Sequence, residues 1–80
     1  MIDAKSLLNK IKWDKNIDPR RFTIGYFDRI QKRVIWIDYS NIKRIEGTFM
    51  IVERQGEESH IPLHRIREAR EDGRTVWKRN

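Results

Sequence analysis

The 80 residues carry 38% apolar and 38% charged side chains, including Trp13, Trp36 and Trp77. That is enough apolar content for one folded domain over residues 1–80 and too little for a second core. No stretch approaches the roughly 20 apolar residues of a membrane span, and cysteine is absent, which excludes disulfides, thiolate metal sites and a cysteine nucleophile and fits a cytoplasmic protein. Lys and Arg number 18 against 12 Asp and Glu, a formal charge of +6 that favours an anionic partner, nucleic acid first. A charged surface of ion-pair networks serving solubility is the plainer alternative.

In chain order, Ala4, Leu7, Leu8 and Ile11 follow the spacing of one helical face. Asp3 is placed to cap the first turn, and Lys10 and Lys12 suit the C-terminal end, so a helix is predicted over residues 3 to 13. Asp18-Pro19 breaks that pattern. From Arg21 the period becomes two, with Phe22, Ile24 and Tyr26 on one face of a strand and Thr23, Gly25 and Phe27 on the other. Arg33 to Asp38 forms a second strand. Its run Val34-Ile35-Trp36-Ile37 is apolar on both faces and predicts a central position under the helix, with Trp36 buried beside Leu7, Leu8, Ile11, Ile37, Ile66 and Trp77.

Glu46-Gly47, Gln55-Gly56 and Asp72-Gly73 mark hairpin turns, so the second half reads as an antiparallel meander. Residues 37–45 can be laid over 61–69, a shift of 24 positions. Each copy is an apolar approach, a polar pair, then Ile and a basic residue, which implies a strand–tight turn–strand unit used twice. A short helix over 63–71 competes, because Leu63, Ile66 and Ala69 sit three apart. The fold class is α+β: an N-terminal helix packed on a strongly bent antiparallel β-sheet, a meander that is partly barrel-like.

The chemistry-bearing residues are few. His60 and His64 are the natural places to seek acid/base work. Two-histidine phosphoesterases, however, place a hydroxyl residue two positions after each histidine, where this chain has Pro62 and Ile66. No catalytic residue is assigned, and a phosphoesterase acting through His64 is the weakest reading. The histidines have only Glu57 and Glu58 nearby, short of a metal cluster, so no metal and no cofactor is expected. None of the glycine-rich nucleotide or hydrolase motifs occurs.

His60 reads as an exposed strand residue. His64 and Arg65 follow Pro62, where a rigid turn fixes both side chains. Gly25-Tyr26-Phe27-Asp28-Arg29 joins an aromatic, a carboxylate and a guanidinium at a strand end, with a core strand closed by a local Asp–Arg pair as the alternative. Trp13 and Trp77, at element ends, are expected to close the core. Arg65, Arg67 and Arg70 can line one strand-side surface.

Leu7-Leu8-Asn9-Lys10-Ile11-Lys12-Trp13-Asp14, Asp18-Pro19, Phe22, Gly25-Tyr26-Phe27-Asp28-Arg29, Ile61-Pro62-Leu63-His64-Arg65-Ile66-Arg67 and Gly73-Arg74-Thr75-Val76-Trp77 together resemble the RNA cyclic-group end-recognition domain family, formerly catalogued as a domain of unknown function. The resemblance covers nearly the whole chain. It is most specific in the I-P-x-H-R-I core and the closing G-x-x-V-W, and loosest from Gln31 to Ser59. It implies a stand-alone version of a module elsewhere fused to two-histidine phosphoesterase, nucleotidyltransferase or RNA-binding zinc-finger domains. The implied role is recognition of RNA ends, 2′,3′-cyclic phosphates in particular, in RNA repair or processing.

The resemblance nominates Tyr26, Asp28, Arg29, His64 and Arg65, and the basic neighbour Arg67 joins them as an RNA- and phosphate-binding set. Arg65 and His64 would face the phosphate, Arg29 would add a second cation, Asp28 would orient one of these groups, and Tyr26 would stack on the terminal base. The expected partners are RNA ends and RNA-processing proteins, the chain being a monomer or weak oligomer off the membrane. A small barrel-like adaptor docking on a protein of an RNA-processing complex is the alternative function.

Overall fold

A computed structural model describes residues 2–79. Helix α1 spans Ala4–Trp13, and the Asp3 carboxylate caps it by accepting from the Ser6 backbone N–H at 2.7 Å. Its apolar face Ala4, Leu7, Leu8 and Ile11 is buried, with Leu8 at 0% exposure. Each fully buried Leu or Ile of this stripe contributes about 1.5 to 3 kcal/mol.

Seven strands follow: β1 (Phe22–Asp28), β2 (Arg33–Asp38), β3 (Ile42–Glu46), β4 (Phe49–Arg54), β5 (Glu57–Pro62), β6 (Ile66–Glu71) and β7 (Arg74–Lys78). They form two antiparallel sheets, one in the order β2-β1-β6-β7 and one in the order β3-β4-β5, and the two do not close into a barrel. The inner face of the larger sheet supplies Phe22, Ile24, Tyr26, Ile37, Ile66, Ala69 and Trp77, which pack with the helix stripe and with Met50 and Val52 of the smaller sheet. The Trp77 indole N–H donates to the Ile2 carbonyl at 2.8 Å, tying the last strand to the segment before the helix.

Three single-turn 3-10 helices precede strands: η1 (Pro19–Arg21), η2 (Tyr39–Asn41) and η3 (Leu63–Arg65). The last two lie 24 positions apart, as the internal echo predicts. Each carries the chain from one sheet to the other, β2–η2–β3 outward and β5–η3–β6 back. At the tips of two hairpins Gln55 and Gly56, and Asp72 and Gly73, hold positive φ.

Three expectations are corrected. Strand β2 lies at a sheet edge rather than centrally, and β1 takes the inner place. Trp36 is accordingly 37% exposed on the outer face, where its ring leans across Gly25 instead of under the helix. Trp13 is 72% exposed with Lys12 against its ring, because the helix stripe ends at Ile11. Residues 63–71 form a 3-10 turn and strand β6, as the repeated strand–turn–strand unit predicts, and not the competing helix. Ile66 and Ala69 both point inward because a bulge opposite Gly25/Tyr26 adds one residue to the strand.

Candidate nucleic-acid interface

The β1–β2 turn is built by Asp28. One oxygen of its carboxylate accepts from the backbone N–H groups of Ile30 (2.8 Å) and Gln31 (2.9 Å), and its carbonyl accepts from Lys32 at 2.7 Å. The hydrogen bond from Gln31 is the main reason the Asp28 carboxyl lies below its ordinary range; the Ile30 bond and the fields of Arg65 and Arg33 add to it. Asp28 therefore organises the loop that displays Arg29, and it does so with two guanidiniums close by.

Strand pairing brings the distant half of the site there. Tyr26 is opposite Ile66, so Arg65, the last residue of η3, arrives beside the end of β1. Arg67 sits at the β6 bulge with its guanidinium 5.4 Å from the Phe27 ring centroid. Arg33 is the strand partner of Asp28 and donates to the Gln31 side chain. It belongs to the cluster although no motif singles it out; the signal was its place opposite Asp28 in a tight hairpin.

Among the described residues, Arg20, Arg21, Lys43, Arg44 and Arg70 each have a carboxylate within 4.0 Å, whereas Arg29, Arg33, Arg65 and Arg67 have none. Arg54, Arg74 and Arg79 have none either, so what sets these four apart is that they gather about one turn and strand end, where their guanidiniums keep donors for an outside anion.

Turn η3 is clamped from three sides. Leu63 is buried, its N–H donates to the Thr48 carbonyl at 2.9 Å, and the Arg79 guanidinium donates to the carbonyls of Ile66 (2.8 Å) and Leu63 (3.3 Å). Arg79 was not singled out by the sequence, because a cation near a chain end resembles any solvated charge. Successive residues of a 3-10 turn diverge by a third of a turn, so His64 and Arg65 point apart. His64 lines a shallow depression at the start of α1 with Lys5, Thr48 and Arg79. Arg65 faces the Asp28 turn. Tyr26 is only 6% exposed inside the core and offers no open face to a base; Phe27, on the opposite side of β1, is half-buried with the Arg67 guanidinium over its ring. No group of three or more potential metal ligands occurs among the described residues, and no helix is long and apolar enough to cross a membrane.

Residues 1–79 match the family model described as the MJ1316 RNA cyclic group end recognition domain. The chain belongs to this family. It is also 29% identical over 75 residues to a UPF0248 protein of Metallosphaera sedula, a match covering 94% of this chain and 90% of the relative. No solved structure matches.

Proposed function

We propose that this chain binds RNA ends bearing a 2′,3′-cyclic phosphate, without cleaving them, as part of RNA repair or processing. The observation that carries the reading is the convergence of Arg29, Arg33, Arg65 and Arg67, none with a carboxylate partner among the described residues, on one turn and strand end. Membership in the RNA cyclic group end recognition family supports it. A cyclic phosphate has one negative charge on two free oxygens and no 2′- or 3′-hydroxyl to donate. A site selective for it presents planar N–H donors to those oxygens, which guanidiniums do best. Arg65 is held on a clamped turn and carries the main contact, with Arg33 and Arg29 beside it and Asp28 fixing the loop.

His64 shares the clamped backbone but looks into the adjoining depression, so its truncation should matter less than that of Arg65. The test compares one short RNA ending in a cyclic phosphate with the same RNA ending in a diol. Arg65→Ala should weaken the cyclic end roughly ten- to a hundredfold, the range for a hydrogen bond to a charged group, and the diol end little. Equal losses on both would reduce Arg65 to a general phosphate contact. Absence of RNA binding at low salt, with a protein partner captured instead, would favour the adaptor reading.

A further inference from the structure

The helix and the smaller sheet pack against the inner face of the four-stranded sheet, which leaves the outer face to its own side chains. That face is flat where it crosses β1, because position 25 is glycine. A Cβ there would lie 3.0 Å from Cη2 and Cζ3 of Trp36 and from Cγ1 of Val34, so both side chains lean across the gap. Trp36 and Val34 remain 37% and 39% exposed, and Phe27 is half-buried beside them.

Each aromatic ring is paired with an arginine from β6. The Arg70 guanidinium lies 4.1 Å from the Trp36 centroid, and the Arg67 guanidinium 5.4 Å from that of Phe27. The nearest acid, Glu68, is already bound by Arg70 and the Thr75 hydroxyl. Phe49, the exposed aromatic of the smaller sheet, meets His60 instead of an arginine. Rings on one open sheet face with an unpaired guanidinium beside them are what single-stranded nucleic acid uses: bases stack on π-faces while a cation, here Arg67, follows the phosphates, and Arg70, bound to Glu68, holds the Trp36 ring.

The register places the two rings in a row. Phe27 is opposite Val34 and Gly25 opposite Trp36, so the rings are two strand positions apart, about 7 Å along the sheet. Phe27 adjoins Asp28, and the row therefore begins where the cluster around Arg65 ends. We infer that the outer face of the four-stranded sheet is a platform for the single-stranded nucleotides upstream of the RNA end, with one base on Phe27 and the next on Trp36. This rests on the end-binding reading above, and it adds a substrate class: an end on an unpaired overhang, not on a blunt duplex.

The experiment measures binding of a labelled single strand of about six nucleotides ending in a cyclic phosphate, within the site size of comparable sheets. A cyclic mononucleotide serves as competitor, and the same strand in a blunt duplex as the second ligand. Trp36→Ala should weaken the single strand about five- to a hundredfold, the loss of one stacked base, and leave competition by the mononucleotide unchanged. Trp36→Phe should restore most of the affinity. Val34→Glu, at an exposed position, should weaken the single strand by placing a carboxylate in the row, which keeps the test open if the alanine variant folds poorly.

Unchanged single-strand binding in Trp36→Ala and Val34→Glu overturns the platform, as does equal affinity for the blunt duplex. Loss of cyclic-over-diol preference in the wild type, with the Trp36 effect intact, overturns the end reading and leaves the platform standing. Failure of the wild type to bind the strand overturns both.

Discussion

Gly25 shows how a single residue decides which chemistry β1 offers. Its missing side chain admits the Trp36 ring and the Val34 methyl to the same spot, each 3.0 Å from where a Cβ would lie and so inside ordinary van der Waals contact. Gly25→Ala should leave the denaturation midpoint nearly unchanged, because both neighbours are partly exposed and can shift by a few tenths of an ångström. It should still change the Trp36 fluorescence spectrum; an unaltered spectrum would show that the ring does not rest on position 25. Core and surface separate as sharply. Ile66→Ala, at 0% exposure, should cost about 2 to 5 kcal/mol. Trp13→Ala, on an exposed ring, should stay within about 0.5 kcal/mol of wild type by chemical denaturation. The alternation along β1 was already legible: it grouped Tyr26 with Phe22 and Ile24, the face that proves to be core. Tyr26 drew a stacking role from its place in a motif, while that same alternation put Phe27 on the open side. For Trp36 the pattern was silent, since Val-Ile-Trp-Ile is apolar on both faces whether the outer one is covered by a helix or by its own neighbours.

The repeated element is the strand–3-10 turn–strand unit, and each copy is fastened by side-chain hydrogen bonds to backbone carbonyls. In η2 the Tyr39 hydroxyl donates to the Leu8 carbonyl of α1 at 3.0 Å. In η3 the Arg79 guanidinium spans two carbonyls. Tyr39→Phe should cost about 0.5 to 1.5 kcal/mol, the value of one neutral hydrogen bond. Arg79→Lys keeps the charge and loses the planar fork, so it should cost about 1.5 to 3 kcal/mol and weaken RNA binding through the loosened turn. Thermal denaturation and RNA titration of the same variant check the two parts together. The units themselves were readable as a shift of 24 positions, and the hairpins as glycine turns. What the sequence did not disclose was that β6 pairs with β1, across some forty residues, instead of continuing the meander beside β5. Such pairings are set by which apolar faces meet in the whole core, and local pattern carries no record of the partner. The bulge in β6 concealed the strand further, because its extra residue turns inward positions from two apart to three and imitates a helix.

Across the whole molecule the excess of +6 matters less than where the carboxylates sit. Asp3, Asp18, Asp28, Glu68 and Asp72 all have carboxyls held below their ordinary values, Asp72 chiefly by its hydrogen bond from Arg21 and Asp3 by the Ser6 backbone. In the unfolded chain these groups bind protons more readily. Their stabilisation is therefore present above about pH 4, the ordinary carboxylate range, and is lost as pH falls through the lower folded values. Melting temperature should be flat near neutrality and drop below pH 4, and added salt should blunt the part of the difference that comes from the exposed Asp3 and Asp72. Net charge announced an anionic partner but not its location; that depends on which arginines the acids leave unpaired, which only the folded chain fixes. Salt dependence of RNA binding tests this distribution directly. Two or three contacted phosphates give a log–log slope near about −1.4 to −2.1, at about −0.7 for each phosphate of a single strand. Arg67→Gln, at a guanidinium with no carboxylate partner among the described residues, should make the slope shallower by about 0.7. Arg20→Gln, which removes an equal charge from a guanidinium already paired with Asp18, should leave it unchanged. Net charge falls identically in the two variants, so a matching change in slope would mean that RNA responds to the diffuse field of a basic protein. A change confined to Arg67 would place the phosphates on the strand end where Arg29, Arg33, Arg65 and Arg67 gather.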